Sequence, residues 1–238
     1  MTKTGVSKLN SRTAQIAFKD TVPVLTGYIC LGIGFGILMQ QNGYKILWSL
    51  AMSVFIYAGS MQYVAVGLLT SGAGLITVAL TTLLVNARHL FYGITMIDSY
   101  KGTGRMKPYL AFALTDETFS LVSKQNLPEG INRNMYYLLV SVFDQCYWIA
   151  GTLLGGLAGS VLPINFEGIE FSLTALFVTI FVEQWLSTEN HLPAVIGTLS
   201  TVACLLLFGQ DVFLIPAMAV ITGVLAGMSK TKKEQRND

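Results

Sequence analysis

The sequence predicts an all-α membrane protein: a polytopic bundle of seven to eight apolar transmembrane segments, with broken or re-entrant helices among them. Composition is the first reason. Of 238 residues, 53% are hydrophobic and 12% charged, against roughly 45–50% and 25% in soluble domains. Length is the second, because apolar runs recur near the ~20 residues a helix needs to cross a bilayer. The third is the placement of polar residues in the middle of such runs, as in LLVNARHLFYG (83–93).

Taken in order, the first 20 residues are polar and basic, with Lys3, Lys8, Arg12 and Lys19. They read as a cytoplasmic segment ahead of an uncleaved first span, since no small-x-small cleavage site follows. Apolar segments then cover 21–39, 46–69, 74–97, 109–123, 135–160, 171–187, 192–208 and 211–228, and a basic tail, 229–238, closes the chain. Residues 21–228 form a single transport domain. The fourth segment is short and carries Asp116 and Glu117. It is a full span, a re-entrant helix or an interfacial helix. Positive residues favour the cytoplasmic side. Eight spans keep both basic termini inside but put Lys101, Arg105 and Lys107 outside. Seven bring those three inside and push the N-terminus out. The eight-span layout is preferred.

FIYAGSMQY (55–63) resembles FVTIFVEQW (177–185), pairing Phe55 with Phe177, Gln62 with Gln184 and Tyr63 with Trp185. An internal two-fold repeat and chance similarity between apolar helices both explain the match. Gly151, Gly155 and Gly159 fall on one helical face, and the pairs Gly32–Gly36 and Gly223–Gly227 repeat the spacing. Such faces let helices approach closely in lipid. Cys30, Cys146 and Cys204 are scattered and offer no metal spacing. The net charge of +2 gives no reason to expect nucleic acid as a partner.

The chemistry is expected where polarity is buried. Gly59-Ser60, halfway along the second segment, marks a kink or a smooth helix with a small contact face. On the third segment Asn86 and His89 share one face, and Arg88 with Tyr92 lies on another. An Arg at mid-span costs roughly 2.5–3.5 kcal/mol to insert, so Arg88 needs an acid: Asp116, Glu117, Asp144 or Glu183. Unneutralised acids are suited to hold a proton or the ammonium of a zwitterion, and His89 to relay a proton. With the neighbouring amides Gln62, Gln145 and Gln184, these residues form the candidate set for substrate binding or proton coupling. No phosphate loop or H-E-x-x-H motif occurs, so neither cofactor nor metal is expected. Ser60 with His89 as a nucleophile–base pair, and a channel for another small solute, are the competing readings.

In PVLTGYICLGIGFGIL (23–38), YAGSMQY (57–63), LLVNARHLFYG (83–93), LTDETFSL (114–121), FDQCYW (143–148) and FVTIFVEQW (177–185), the chain resembles the AzlC family from about Phe18 to Gly227. The resemblance implies a permease of the bacterial inner membrane, not an enzyme. It would export Leu, Ile, Val and related amino acids, and together with the buried acids the resemblance leads to the expectation of a proton-linked secondary transporter, with Met among the candidate substrates. It also implies a small hydrophobic partner of the AzlD type. No residue roles are carried over from it.

Overall fold

The computed structural model describes residues 3–123, 127–161, 178, 181, 182, 185, 186, 188, 190–209 and 213–234. The chain divides into two compact units, Met1–Thr174 and Ala175–Asp238. Among the described residues the regular structure is entirely helical.

The first unit is built on a parallel helix pair. Helix α1 (Lys3–Gln41) and helix α7 (Arg133–Val161) touch at positions that rise together along both helices. Thr13 Oγ1 accepts from the Asn132 amide, and Asp20 accepts from the Tyr136 hydroxyl. Further along, Gly32 lies against Trp148–Thr152 and Gly36 against Thr152–Gly156. The glycine spacing explains this closeness. A methyl on Gly155 would overlap the Ile33 carbonyl, and one on Gly36 the Thr152 carbonyl and the Gly156 amide. One helix runs from Lys3 through the basic N-terminal residues into the span. The end where α1 and α7 begin is termed proximal, and the end where they finish distal.

Helix α2 (Ile46–Phe55) starts distally, with Ile46 against Gly156, and runs inward against α7. Ser53 Oγ lies 2.9 Å from Thr152 Oγ1, and the Val54 carbonyl accepts from Gln145 Nε2 at 3.2 Å. The chain then breaks over residues 56–58, where Tyr57 takes a φ of 46°. Helix α3 (Gly59–Thr70) turns back. Its Tyr63 hydroxyl donates to the Leu31 carbonyl, and Val66, Gly67 and Thr70 share a cleft with Leu38 and Asn42. Segment 46–69 was expected to cross. It is instead a hairpin that enters and leaves at the distal end.

Helix α4 (Leu75–Met96) returns to the proximal end, its halves meeting at 42°. Met96 and Tyr100 join Ala17, Tyr136, Tyr137 and Val140 in the proximal core. A 3-10 turn, Lys101–Met106, stays there, its Gly102 carbonyl accepting from Asn134 Nδ2. Helix α5 (Lys107–Phe112) runs inward, the chain breaks over 113–115, and helix α6 (Asp116–Val122) comes back. Leu110, Leu121 and Val122 lie in the proximal core. This is a second hairpin, opposed to the first.

Two hairpins correct the eight-span layout. Lys101, Arg105 and Lys107 lie at the same end as the start of α1, not opposite it. By length and composition two helices qualify as full spans, Ser11–Gln41 and Arg133–Val161, with α4 as a third when its halves count together. A count of seven or eight is not reached among the described residues.

In the second unit, helix α8 (Leu192–Phe208) packs on helix α9 (Leu214–Glu234). Helix α9 continues past 228, so part of the expected tail is helical. Trp185 stacks on His191 with ring centroids 4.2 Å apart. A methyl on Gly223 or Gly227 would meet nothing within 4 Å, so that pair makes no glycine contact of the α1–α7 kind. Most of 171–187 lies outside the described residues, and with it the proposed match to 55–63.

Candidate functional site

The hairpin tips meet inside the first unit, because each half-helix is too short to cross and its broken end stops at mid-depth. Tyr57, at the tip of the first hairpin, has its ring centroid 6.2 Å from that of Phe112, just before the second break. Gly59 opens α3 because Trp148 of α7 leaves little room: a methyl there would lie 3.0 Å from the indole. Thr115 caps α6, its Oγ1 accepting the Thr118 amide at 3.3 Å, so that Asp116 and Glu117 stand in the first turn. Negative charge is favoured at that end of a helix.

Arg88 of α4 joins the two tips. Its Nη1 lies 2.7 Å from Asp116 Oδ2, and its Nη2 donates to Ser60 Oγ at 2.5 Å. Of the sequence-offered acids among the described residues, Asp116 pairs with Arg88. One planar guanidinium thus reaches the first residue of α6 and the second of α3, a use of the fork that lysine cannot reproduce. The stripe to which Arg88 belongs faces α6, since Tyr92 stacks on Phe119 at 4.6 Å.

Asp144 and Gln145, adjacent on α7, hold the hairpins in place. Asp144 is fully buried, and its Oδ2 accepts from Thr118 Oγ1 at 2.7 Å. Gln145 accepts from the Tyr109 hydroxyl through Oε1 and donates to the Val54 carbonyl, an end group of α2. Gln62 is equally buried. It accepts from Trp148 Nε1 at 2.9 Å and donates to Ser53 Oγ. Glu117 Oε2 accepts from the Tyr28 hydroxyl at 2.7 Å. Asn86 and His89 border this cluster: His89 Nδ1 faces the Asn86 carbonyl, its ring meets the edge of Tyr92, and the charges of Asp116 and Arg88 lie close enough to act on it. Glu183 and Gln184 lie outside the described residues. Among the described residues no group of three or more His, Cys, Asp or Glu is placed to hold a metal ion.

Sequence reasoning passed over Tyr28, Thr115, Thr118 and Trp148, which carry much of the polar geometry. Hydroxyls cost little in an apolar helix and raise no charge signal. The one local sign was Thr115 ahead of two acids, the start of a helix.

Residues 23–162, which include both hairpins, α4 and α7, match the family model described as AzlC protein. The chain belongs to the AzlC family. Among its AzlC relatives, the branched-chain amino acid transport protein AzlC of Bacillus subtilis (strain 168) is 42% identical over 214 residues, covering 90% of this chain and 84% of that protein. A membrane protein of Helicobacter pylori (strain 26695) is 42% identical over 205 residues, covering 86% of this chain and 90% of its own length. The inner membrane protein YgaZ of Escherichia coli (strain K12) is 27% identical, covering 91% and 89%. No solved structure matches.

Proposed function

We propose that this AzlC-family chain is a secondary transporter that exports branched-chain amino acids across the bacterial inner membrane. Transport is linked to protons and requires a small AzlD-type partner subunit. The observation that carries this reading is Arg88 clasping the tips of two opposed hairpins. Transporters commonly place the substrate where broken helices meet near mid-membrane. A guanidinium there suits a carboxylate, and the first-turn amides of α3 beside Ser60 add donors that no side chain caps. The substrate ammonium would go to a carboxylate of the Asp116, Glu117 and Asp144 group, with Tyr57, Phe112 and Trp148 offering apolar walls. Asn86, His89, Gln62 and Gln145 complete the proposed site, and Glu183 and Gln184 stay with it from the sequence.

The relative from Bacillus subtilis supports branched-chain amino acids as the substrate class. The charge balance supports a cytoplasmic proximal end, because Arg12, Lys19, Lys101, Arg105, Lys107 and Arg133 lie toward it and Lys45 lies at the distal end. Everted membrane vesicles containing the chain and its partner test the proposal. Leucine should accumulate under an imposed proton gradient and show saturation and counterflow. Absence of leucine movement with both subunits verified in the membrane would falsify it.

A further inference from the structure

A buried and a half-buried carboxyl of the first unit are joined by an unbroken line of hydroxyls. Glu117 Oε2 lies 2.7 Å from the Tyr28 hydroxyl, which lies 2.6 Å from Thr115 Oγ1. Thr115 Oγ1 is 3.0 Å from Thr118 Oγ1, and that atom is 2.7 Å from Asp144 Oδ2. Tyr28, Thr115, Thr118 and Asp144 are all buried.

Counting hydrogens shows what the line requires. It has four contacts and three hydroxyl hydrogens. When both carboxyls are ionised, Tyr28 donates to Glu117 and Thr118 donates to Asp144, which leaves Thr115 one hydrogen for two contacts. Whether it donates to Tyr28 or to Thr118, the other contact is left with lone pairs facing each other. One additional proton, on either carboxyl, fills every contact. With it on Glu117 all the hydroxyls point toward Asp144, and with it on Asp144 they all point back. Both arrangements satisfy every donor, and they differ by the passage of one proton.

We infer that Glu117, Tyr28, Thr115, Thr118 and Asp144 form a proton wire that stores one proton and passes it between the two carboxyls. In the step, Glu117 gives its proton to the Tyr28 oxygen. Tyr28 gives its own to Thr115, Thr115 to Thr118, and Thr118 to Asp144. Four O–H bonds break and four form, leaving Glu117 a carboxylate and Asp144 a carboxylic acid. Asp144 Oδ1 is buried without a hydrogen-bond partner, so rotation of the carboxyl carries the proton received on Oδ2 to the side that Oδ1 faces. Among the described residues, the ionisable groups facing the ends are Asp116 of α6 with Arg88 and Tyr92 of α4 beside Glu117, Tyr109 of α5 and Tyr136 of α7 beside Asp144, and Tyr57 at the first tip beside both. The wire rests on the proposed transport function, since it supplies the coupling path for that site.

The test separates the wire from transport itself. In everted vesicles with the partner subunit, Thr118→Val and Tyr28→Phe should keep leucine counterflow and lose the response of net leucine flux to an imposed proton gradient. Thr118→Ser, which keeps the hydroxyl, should restore that response. A Thr118→Val protein with full gradient response overturns the wire while leaving transport intact. Loss of counterflow in the wild type sinks the transport reading instead. The stored proton is checked on purified full-length chain by infrared spectroscopy. A protonated carboxyl C=O band should be present at neutral pH and absent from the Glu117→Gln/Asp144→Asn double variant. A wild type without that band overturns the wire, whatever the vesicles show.

Discussion

At the residue scale the first unit turns on Arg88. Its guanidinium offsets its own insertion cost by pairing with Asp116, and that pairing fixes how the hairpins meet. The side chains keep 27% and 14% exposure. Arg88→Ala is therefore expected to cost up to about 3 kcal/mol, below the upper range for removing one partner of a fully buried pair. Arg88→Lys should keep a charge near Asp116 and lose the bridge to Ser60, so leucine transport falls although the protein folds. Adding Asp116→Asn to Arg88→Ala should recover part of the lost thermal stability, since the unpaired carboxylate goes with it. No recovery in a melting experiment would refute the pairing. The sequence narrowed the partner to four acids and no further. Spacing fixes which residues share a helix face, but not which helix that face meets. Arg88 and Tyr92 were correctly placed on one stripe, and α6 as its neighbour emerges only from tertiary packing.

At the element scale, the glycine faces of α1 and α7 were legible and the hairpins only in part. A Gly-x-x-x-Gly spacing implies close helices in any apolar solvent, and here both partners carry it. Gly155→Ala should force α1 off α7 and lower stability by about 1–3 kcal/mol, the usual cost of overpacking. Gly67→Ala, where a methyl meets nothing within 4 Å, should leave the melting temperature unchanged or slightly higher. Equal effects of the two would contradict the packing described. The break near Gly59-Ser60 was one of two open readings. The chain breaks just before it, over 56–58, with Tyr57 in a left-handed conformation that costs on the order of 1–3 kcal/mol for a non-glycine residue. Re-entry itself was not legible for 46–69. Two apolar half-helices joined by three residues have the same hydropathy as one straight span, because hydropathy carries no direction.

At the scale of the whole first unit, α1, α4 and α7 with two opposed hairpins place Arg12, Lys19, Lys101, Arg105, Lys107 and Arg133 toward the proximal end and Lys45 at the distal one. Single cysteines, introduced after Cys30, Cys146 and Cys204 are replaced by serine, test this arrangement. Arg105→Cys should react with a membrane-impermeant maleimide only from the side of the N-terminus, and Ser71→Cys and Lys45→Cys only from the opposite side. Labelling of Arg105→Cys and Ser71→Cys from one and the same side would overturn the arrangement.

The opposed hairpins also have a consequence of parity. Counting each as a crossing introduces two sign errors in succession, and the second undoes the first. A reporter enzyme fused before α7 or just after it would give the same signal under either layout. Only fusions between 71 and 106 distinguish them, so a mapping effort that sampled the ends of this unit alone would agree perfectly with the wrong fold.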